Sequence, residues 1–589
     1  VTNRNTLYAT IVVDELARSG LQHVVIAPGS RHTPLVLAFA EHDAITVHSQ
    51  LDERSAAFYA MGLALGSDQP VAVCCTSGTA GANMYPAVIE AHQSRVPLII
   101  LTGDRPPELR HSGANQTIDQ IKLFGDYALW FVDMALPEAD PPAVAIRNLR
   151  TTANRAYTTA NGLRKGVVHL NFPFRKPLEP TPVEGDVVEV PAGTGGRSSD
   201  EGFVMWTPPG PAGPVHDQLL QVEQLIRGER DGVVICGNNA RLDDLTRQNI
   251  ASFAQVTGYP MLLEPFSAMR WPTSSDITGI GAYDTFLAAA QIPEANLIIR
   301  FGDVPLSKSL NSYLLKSQPE TLIQVSENGH WADDQHLTTH FVQSSVNSFT
   351  NTLADMLRSS LGRKRSALST QYTALESTTW NVIEREMQTG GYFDGGVVYD
   401  IVDLIPDGST LFAGNSLPVR LLDQFARPAA KPLHIFANRG ASGIDGNIST
   451  ALGIGAAWPD RPLAALIGDV TFYHDMNGLL AVRRCGVPVT IVLLNNDGGG
   501  IFHRLPVRDY EPAFTDLFVT PHGLDFSHAA ALYGLEYVRA DTRSAFRHAF
   551  LESLTERRSR IIEVRTDPHT DLARRDAIVA ATSDRIDQL

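Results

Sequence analysis

Residues 61–104, MGLALGSDQPVAVCCTSGTAGANMYPAVIEAHQSRVPLIILTGD, decide how the chain is read. A glycine-bearing helix leads into the apolar run PVAVCC, a Gly turn follows, and a second helix precedes the strand VPLIILTGD. Residues 451–497, ALGIGAAWPDRPLAALIGDVTFYHDMNGLLAVRRCGVPVTIVLLNND, repeat that order. Gly62 to Gly453 is 391 residues and Val96 to Val487 is also 391, so one insertion or deletion aligns the two. Each copy follows a strand that ends in a turn, APGSR at 27–31 and AGNS at 413–416. Helices alternating with buried apolar strands predict parallel sheets, and the repeat predicts two copies of one domain.

At roughly 100–200 residues per domain, 589 residues predict three or four domains. Residues 6–20 have helical spacing, and QHVVIAPGS reads as the first strand. The rhythm fades near Asn171, and 173–214 are rich in Pro, Gly and Ser, as a connector is. Strands are expected at 232–236, 260–264, 296–301 and 320–325, and a polar helical stretch at 357–387. The predicted fold class is α/β, three doubly wound parallel-sheet domains with the first and third similar. Their spans are 1–180, a linker 181–215, a middle domain 216–356, a helical linker 357–388 and a last domain 389–589.

With 48 Lys+Arg against 64 Asp+Glu the formal charge is −16, a field that repels nucleic acid and anionic lipid. Clustered Arg can still reverse the potential within a cleft. The four cysteines, Cys74, Cys75, Cys236 and Cys485, show no C-x-x-C spacing, which fits a reducing compartment. The first twenty residues lack the profile of a signal peptide, and no run approaches 18 apolar residues, so a cytoplasmic location is expected.

PLAALIGD puts Asp469 at a strand end, and TIVLLNND puts Asn495, Asn496 and Asp497 at the next, 27 residues beyond Asp469 to Asn496. Ligands bind at that edge of open α/β sheets. Two hard oxygens from neighbouring strand ends suit Mg²⁺, and a helix expected to begin near Phe472 would turn its amides toward a diphosphate.

Gly468-Asp469 through Asn496 resembles the metal–diphosphate motif of thiamine-diphosphate enzymes, which pair a pyrimidine-binding and a diphosphate-binding domain of one fold around a middle domain. Val470 departs from the commoner Gly after Asp. The segments APGSRHTPL, LDERSAAF, TSGTAGAN, GDRPPELRHSGANQTIDQ, GNSLPVR, NRGASGIDG and NNDGGGIF, in this order, resemble the 2-succinyl-5-enolpyruvyl-6-hydroxy-3-cyclohexene-1-carboxylate synthase family of menaquinone biosynthesis. That resemblance implies decarboxylation of 2-oxoglutarate and addition of the resulting succinyl-semialdehyde carbanion to isochorismate, by a transferase using thiamine diphosphate with Mg²⁺ or Mn²⁺. It implies Glu53 as the carboxyl group that shares a proton with the cofactor's pyrimidine, a role that burial supports. Asp469, Asn496 and the Gly498 carbonyl would hold the metal. Thr79, Asn83, Ser416, Ile444, Gly468, Val470 and Ile501 would contact the cofactor, Ile444 as the wedge that bends it.

Both implied substrates are dicarboxylates, for which the planar fork of Arg is suited. The resemblance puts Arg31, Arg420 and Arg439 at the substrates, with hydrogen bonds from Ser30, Asn115, Gln116 and Ser416. Ile501, Phe502 and Leu505 would form an apolar wall. Arg105 would serve a substrate, a regulatory site or the fold. Lys308 is the middle domain's candidate, although Ser309 stands where the family pattern has a second basic residue. A homodimer or homotetramer with its active site at the subunit interface is implied. Three other readings compete: an acetolactate-synthase-like decarboxylase or carboligase, a nucleotide-binding regulatory protein, and a hydrolase. No G-x-G-x-x-G opens a helix, no P-loop is present, and Ser77 and His92 lack a G-x-S-x-G elbow.

Overall fold

The computed structural model describes residues 2–186, 196–197, 201–208, 210–238, 242–272, 279–358, 365–389 and 391–589. Much of the expected connector (187–195, 198–200 and 209) and residues 359–364 of the polar helical stretch lie outside them.

Three parallel sheets carry the chain. The first has β1 (His23–Ile26), β2 (Thr46–Ser49), β3 (Val71–Cys75), β4 (Leu98–Asp104), β5 (Ala128–Asp133) and β6 (Val167–Pro173), ordered β2-β1-β3-β4-β6-β5. The second has β7 (Gly232–Cys236), β8 (Met261–Leu263), β9 (Leu297–Phe301), β10 (Thr321–Ser326) and β11 (His340–Gln343), ordered β11-β10-β9-β7-β8. The third has β12 (Thr410–Ala413), β13 (His434–Phe436), β14 (Leu463–Gly468), β15 (Thr490–Asn495), β16 (Glu536–Arg539) and β17 (Arg560–Arg565), ordered β13-β12-β14-β15-β17-β16. Strand for strand, the third order is the first shifted by eleven labels, so the repeat read in the sequence is a repeat of topology.

The central strands β3, β4 and β6 are buried along their whole length, as parallel strands covered on both faces must be. The polar helical stretch is two helices, Val346–Arg358 and Ala367–Thr389, rather than one. The helix expected near Phe472 starts instead at Asp469 and spans Asp469–His474.

By contacts the described chain forms two compact units. One contains 1–209, 438–460 and 471–488; the other contains the remainder. Within the first, the helix Glu53–Ser67 is buried from Ser55 to Met61 and beyond, and packs along the helix Asn447–Ala457. A helix apolar on all sides needs neighbours all round. Here the axes approach until a Cβ on Gly62 would stand 2.1 Å from the Thr450 carbonyl oxygen and one on Gly453 2.0 Å from the Tyr59 carbonyl oxygen. Only glycine fits, and these are the two glycines that the 391-residue offset equates. Gly62→Ala is therefore expected to lower stability by about 2–3 kcal/mol through overpacking. A thermal or urea midpoint equal to that of the wild type would refute the tight crossing.

Candidate active site

In the first unit, Asp52 caps the helix Glu53–Ser67, its carboxylate accepting from the Arg54 amide at 2.9 Å and the Ser55 amide at 3.4 Å. Glu53 thus occupies the first helical position and is half-buried. It lies near the Cys75 thiol. Burial foremost, then Cys74 and the Glu53 carboxylate, hold that thiol well above its ordinary pKa.

Arg31, at the turn after β1, is buried. Its backbone N–H donates to Thr76 Oγ1 at 3.1 Å and its guanidinium to the Phe174 carbonyl at 2.9 Å, while its Nε has no hydrogen-bond partner. Burial and then the neighbouring Arg105 lower its pKa. Arg105 donates to Ser77 Oγ at 3.1 Å and to the Asn115 carbonyl at 2.8 Å. Gln116, at φ +52°, donates its amide to the Ser77 carbonyl at 3.1 Å, and the Ser77 hydroxyl donates back to the Gln116 carbonyl at 3.0 Å. The TSG turn and the ANQ loop are so tied together that Arg31, Arg105, Asn115 and Gln116 share one neighbourhood. Ser30 is exposed beside Arg31, and Thr79 and Asn83 are exposed one turn apart on the short helix Thr79–Asn83.

Arg439 and Ile444 lie, half-buried, on the loop NRGASGIDG before the helix Asn447–Ala457. Glu90 fixes this loop. Its carboxylate accepts the amides of Gly440 at 2.6 Å, Ala441 at 2.8 Å and Ser442 at 3.0 Å, with the Ser94 hydroxyl at 2.8 Å. Asp475, fully buried, accepts the Ser449 amide at 2.7 Å, the Ser449 hydroxyl at 3.0 Å and the Ser55 hydroxyl at 3.3 Å. Burial pushes its pKa up to about 6.

In the second unit, Asp469 follows β14 and Asn496 follows β15. One Asp469 carboxylate oxygen accepts the amides of Asn496 and Gly498, each at 3.0 Å, and the other accepts the Val470 amide at 2.7 Å. Burial raises the Asp469 pKa against these hydrogen bonds and the His522 imidazole, which lies 3.3 Å away. Asn496 Oδ1 is buried without a hydrogen-bond partner. Gly498, at φ +140°, has no room for a side chain, since a Cβ would sit 2.1 Å from the Val519 carbonyl. Asp497 accepts the amides of His522 and Gly523 at 3.2 and 2.7 Å, fastening this turn to the segment after Val519.

A cavity of about 840 Å³ in the same unit is lined by Lys308, Arg420, Ile501 and Leu505 among others. Arg420 donates to the carbonyl of Ser416 at 2.6 Å, and Ser416 is held at φ +76°, a strained value for a residue with a side chain. Phe502 is not among the lining residues and packs edge-on against Phe518 at 5.5 Å.

Residues 7–123 match the thiamine pyrophosphate enzyme N-terminal TPP binding domain, 215–413 the middle domain and 419–564 the C-terminal TPP binding domain. The chain is 54% identical over 580 residues to the 2-succinyl-5-enolpyruvyl-6-hydroxy-3-cyclohexene-1-carboxylate synthase of Roseiflexus castenholzii, covering 98% of this chain and 99% of that protein. The chain belongs to that synthase family. The synthase of Haloarcula marismortui is 43% identical over 596 residues, with 99% of each chain covered. Among solved structures, the thiamine diphosphate-dependent 4-hydroxybenzoylformate decarboxylase of Rhodococcus jostii RHA1 is similar at TM-score 0.69 and 19% identity. The match covers 95% of this chain and 99% of that one, a likeness of fold.

Sequence reasoning missed Glu90, Asp475 and His522. Glu90 follows no motif spacing, being 350 residues from Gly440. Asp475 could have been suspected as an acid amid the apolar and small residues of YHDMNGLL. Nothing local marks His522. Glu90→Ala is expected to cost about 3 kcal/mol or more, since three backbone donors lose a charged acceptor. Glu90→Gln should cost less, and equal melting temperatures for wild type and Glu90→Ala would refute the anchoring role.

Proposed function

We propose that this chain is a thiamine-diphosphate-dependent 2-succinyl-5-enolpyruvyl-6-hydroxy-3-cyclohexene-1-carboxylate synthase, a transferase that decarboxylates 2-oxoglutarate and adds the resulting four-carbon unit to isochorismate in menaquinone biosynthesis. The observation that carries this reading is full-length likeness, at 54% identity, to a protein of that name. Residues 1–180 would hold the pyrimidine half of the cofactor, 389–589 the diphosphate and metal, and 216–356 would shape the substrate end.

When bound, thiamine diphosphate supplies a nucleophilic carbon and an electron sink for decarboxylation of a 2-oxoacid. Glu53 would share a proton with the ring nitrogen of the pyrimidine, and Ile444 would pack against the cofactor. Thr79, Asn83, Ser416, Gly468, Val470 and Ile501 complete its contacts. Asp469, Asn496 and the Gly498 carbonyl fit Mg²⁺ or Mn²⁺: all three offer hard oxygens, and the buried Asn496 Oδ1 lacks any other partner. Arg31, Arg105, Lys308, Arg420 and Arg439 bind substrate carboxylates. Ser30, Asn115 and Gln116 add hydrogen bonds, and Ile501 and Leu505 exclude water, with Phe502 behind them on Phe518.

A homodimer or homotetramer in which Glu53 and Asp469 of different subunits serve one cofactor accords with a Glu53 only half-buried in the single chain. A reducing, cytoplasmic location accords with four free cysteines. No helix among the described residues is long and apolar enough to cross a membrane.

Glu53→Gln is expected to lower turnover on the order of 10²-fold or more with the fold retained, measured as isochorismate loss in the presence of 2-oxoglutarate. Pyruvate turnover without use of 2-oxoglutarate would instead favour an acetolactate-synthase-like enzyme. Asp469→Ala should abolish the thermal protection that thiamine diphosphate plus Mg²⁺ gives the wild type, an effect read without turnover. Persistence of that protection would remove Asp469 from the metal.

A further inference from the structure

The 840 Å³ cavity holds more positive charge than the proposed substrate residues account for. Its lining carries Lys308, Lys316, Arg420, Arg504 and Arg575 against the acids Asp284, Asp423 and Glu294. The two buried acids are already engaged away from the lining cations, Asp423 by the buried Arg270 guanidinium at 3.6 Å and both by uncharged donors. Asp284 accepts Ser307 Oγ and Gln424 Nε2, each at 2.6 Å, and Asp423 accepts the Tyr283 hydroxyl at 2.6 Å. Burial and then Asp284 raise the Asp423 pKa, against the Arg270 guanidinium and the Tyr283 hydroxyl.

Arg504 is the exception among the cations. It ends the short helix Gly500–Arg504, between Ile501 and Leu505, and is half-buried. Among the described residues its guanidinium makes no hydrogen bond, and no carboxylate oxygen comes within the 4.0 Å of an ion pair. Asp394 and Asp284 act on it only from farther away, while Arg575 and Arg420 oppose its charge. Arg575 has a buried Nε without a hydrogen-bond partner, and among the described residues its guanidinium forms an ion pair only with Asp576, at 3.9 Å. Arg420 spends a donor on its own helix, and Lys316 on Gln291. Several guanidinium groups facing one cavity, with unused donors and mutual repulsion, are stabilised when an anion joins them, and a carboxylate matches the fork of each.

We propose that Arg504, supported by Arg575, is a carboxylate-binding residue of this cavity that selects a small dicarboxylate over a monocarboxylate. This rests on the proposed function, whose two substrates are both dicarboxylates, and adds two residues outside the set that the resemblance supplied. The contact forms with the bound substrate, so its loss falls mainly on binding rather than on turnover.

The test compares wild-type holoenzyme with Arg504→Met, Arg504→Lys and Arg575→Met. It reads KM for 2-oxoglutarate and for isochorismate, and, by calorimetry without turnover, the affinities of glutarate and butyrate. Arg504→Met is expected to raise KM for one of the two substrates about tenfold or more, with a smaller change in kcat, and to erase a similar factor of glutarate preference. Arg504→Lys should recover part of the loss, and the substrate whose KM moves names the carboxylate bound. If Arg504→Met does not fold, the other two variants decide, each expected to weaken glutarate about threefold or more. KM values and glutarate preference unchanged within about twofold in the folded variants would overturn the proposal. A wild type that forms no adduct from 2-oxoglutarate and isochorismate would defeat the functional reading, and the glutarate–butyrate comparison would still judge Arg504.

Discussion

The crossing of the helices Glu53–Ser67 and Asn447–Ala457 at Gly62 and Gly453 constrains everything placed at their N-terminal ends. Backbone against backbone leaves no side chain to slide or repack, so the crossing point is fixed to a few tenths of an ångström. Asp475 then joins the two N-terminal turns through Ser55 and Ser449. Gly446 presses against the Phe58 ring, where any Cβ would come within 2 Å. Glu53 and the loop bearing Arg439 and Ile444 are consequently set by rigid elements. The proton sharing proposed for Glu53 needs such positioning, because a misplaced carboxyl costs rate steeply.

The sequence made the repeat legible because both copies need the same things: glycines where helices meet, continuous apolar strands at the sheet centre, and a turn after each. The common strand order of the first and third sheets follows from that duplication. Edge strands were harder to see. β2, β5 and β16 are mostly exposed or half-buried; β2 and β16 have no apolar run to separate them from loop, and β5 (ALWFVD) has one without full burial. The helix at Asp469 begins three residues before the expected start near Phe472: Asp469 is its first residue, and its side chain accepts from the next amide, of Val470, at 2.7 Å, with no sequence signature beyond the acid.

Site residues divide along the same line. Asp469 and Asn496 announce themselves because strand ends in a parallel sheet are predictable, and the distance between them is one crossover. Glu90, His522 and Arg504 act across sequence separations or within turns where no period operates. Their partners are chosen by the folded chain, so only coordinates reveal them. The strained φ values at Gln116, Ser416 and Asp497 belong to this second kind, each being a non-glycine residue held where the turn demands it.

Charge ties these levels together. A chain of net charge −16 must keep its acids from neutralising the cations that its ligands require. Beside the cation-rich cavity it does so by giving Asp284 a hydroxyl and a side-chain amide and Asp423 a phenol and the buried Arg270, while Glu90 elsewhere takes three backbone amides. Asp284 so satisfied does not close on a lining guanidinium, and Asp423 pairs with Arg270, which is outside the lining. The cost is desolvation of the carboxylates, visible in the raised pKa of Asp423, and the gain is an Arg504 left without a protein carboxylate within ion-pair distance among the described residues. The overall negative charge and a cation-rich cavity are therefore compatible consequences of how the acids are hydrogen-bonded, and the sign of the whole molecule says little about the sign of the charge a ligand meets.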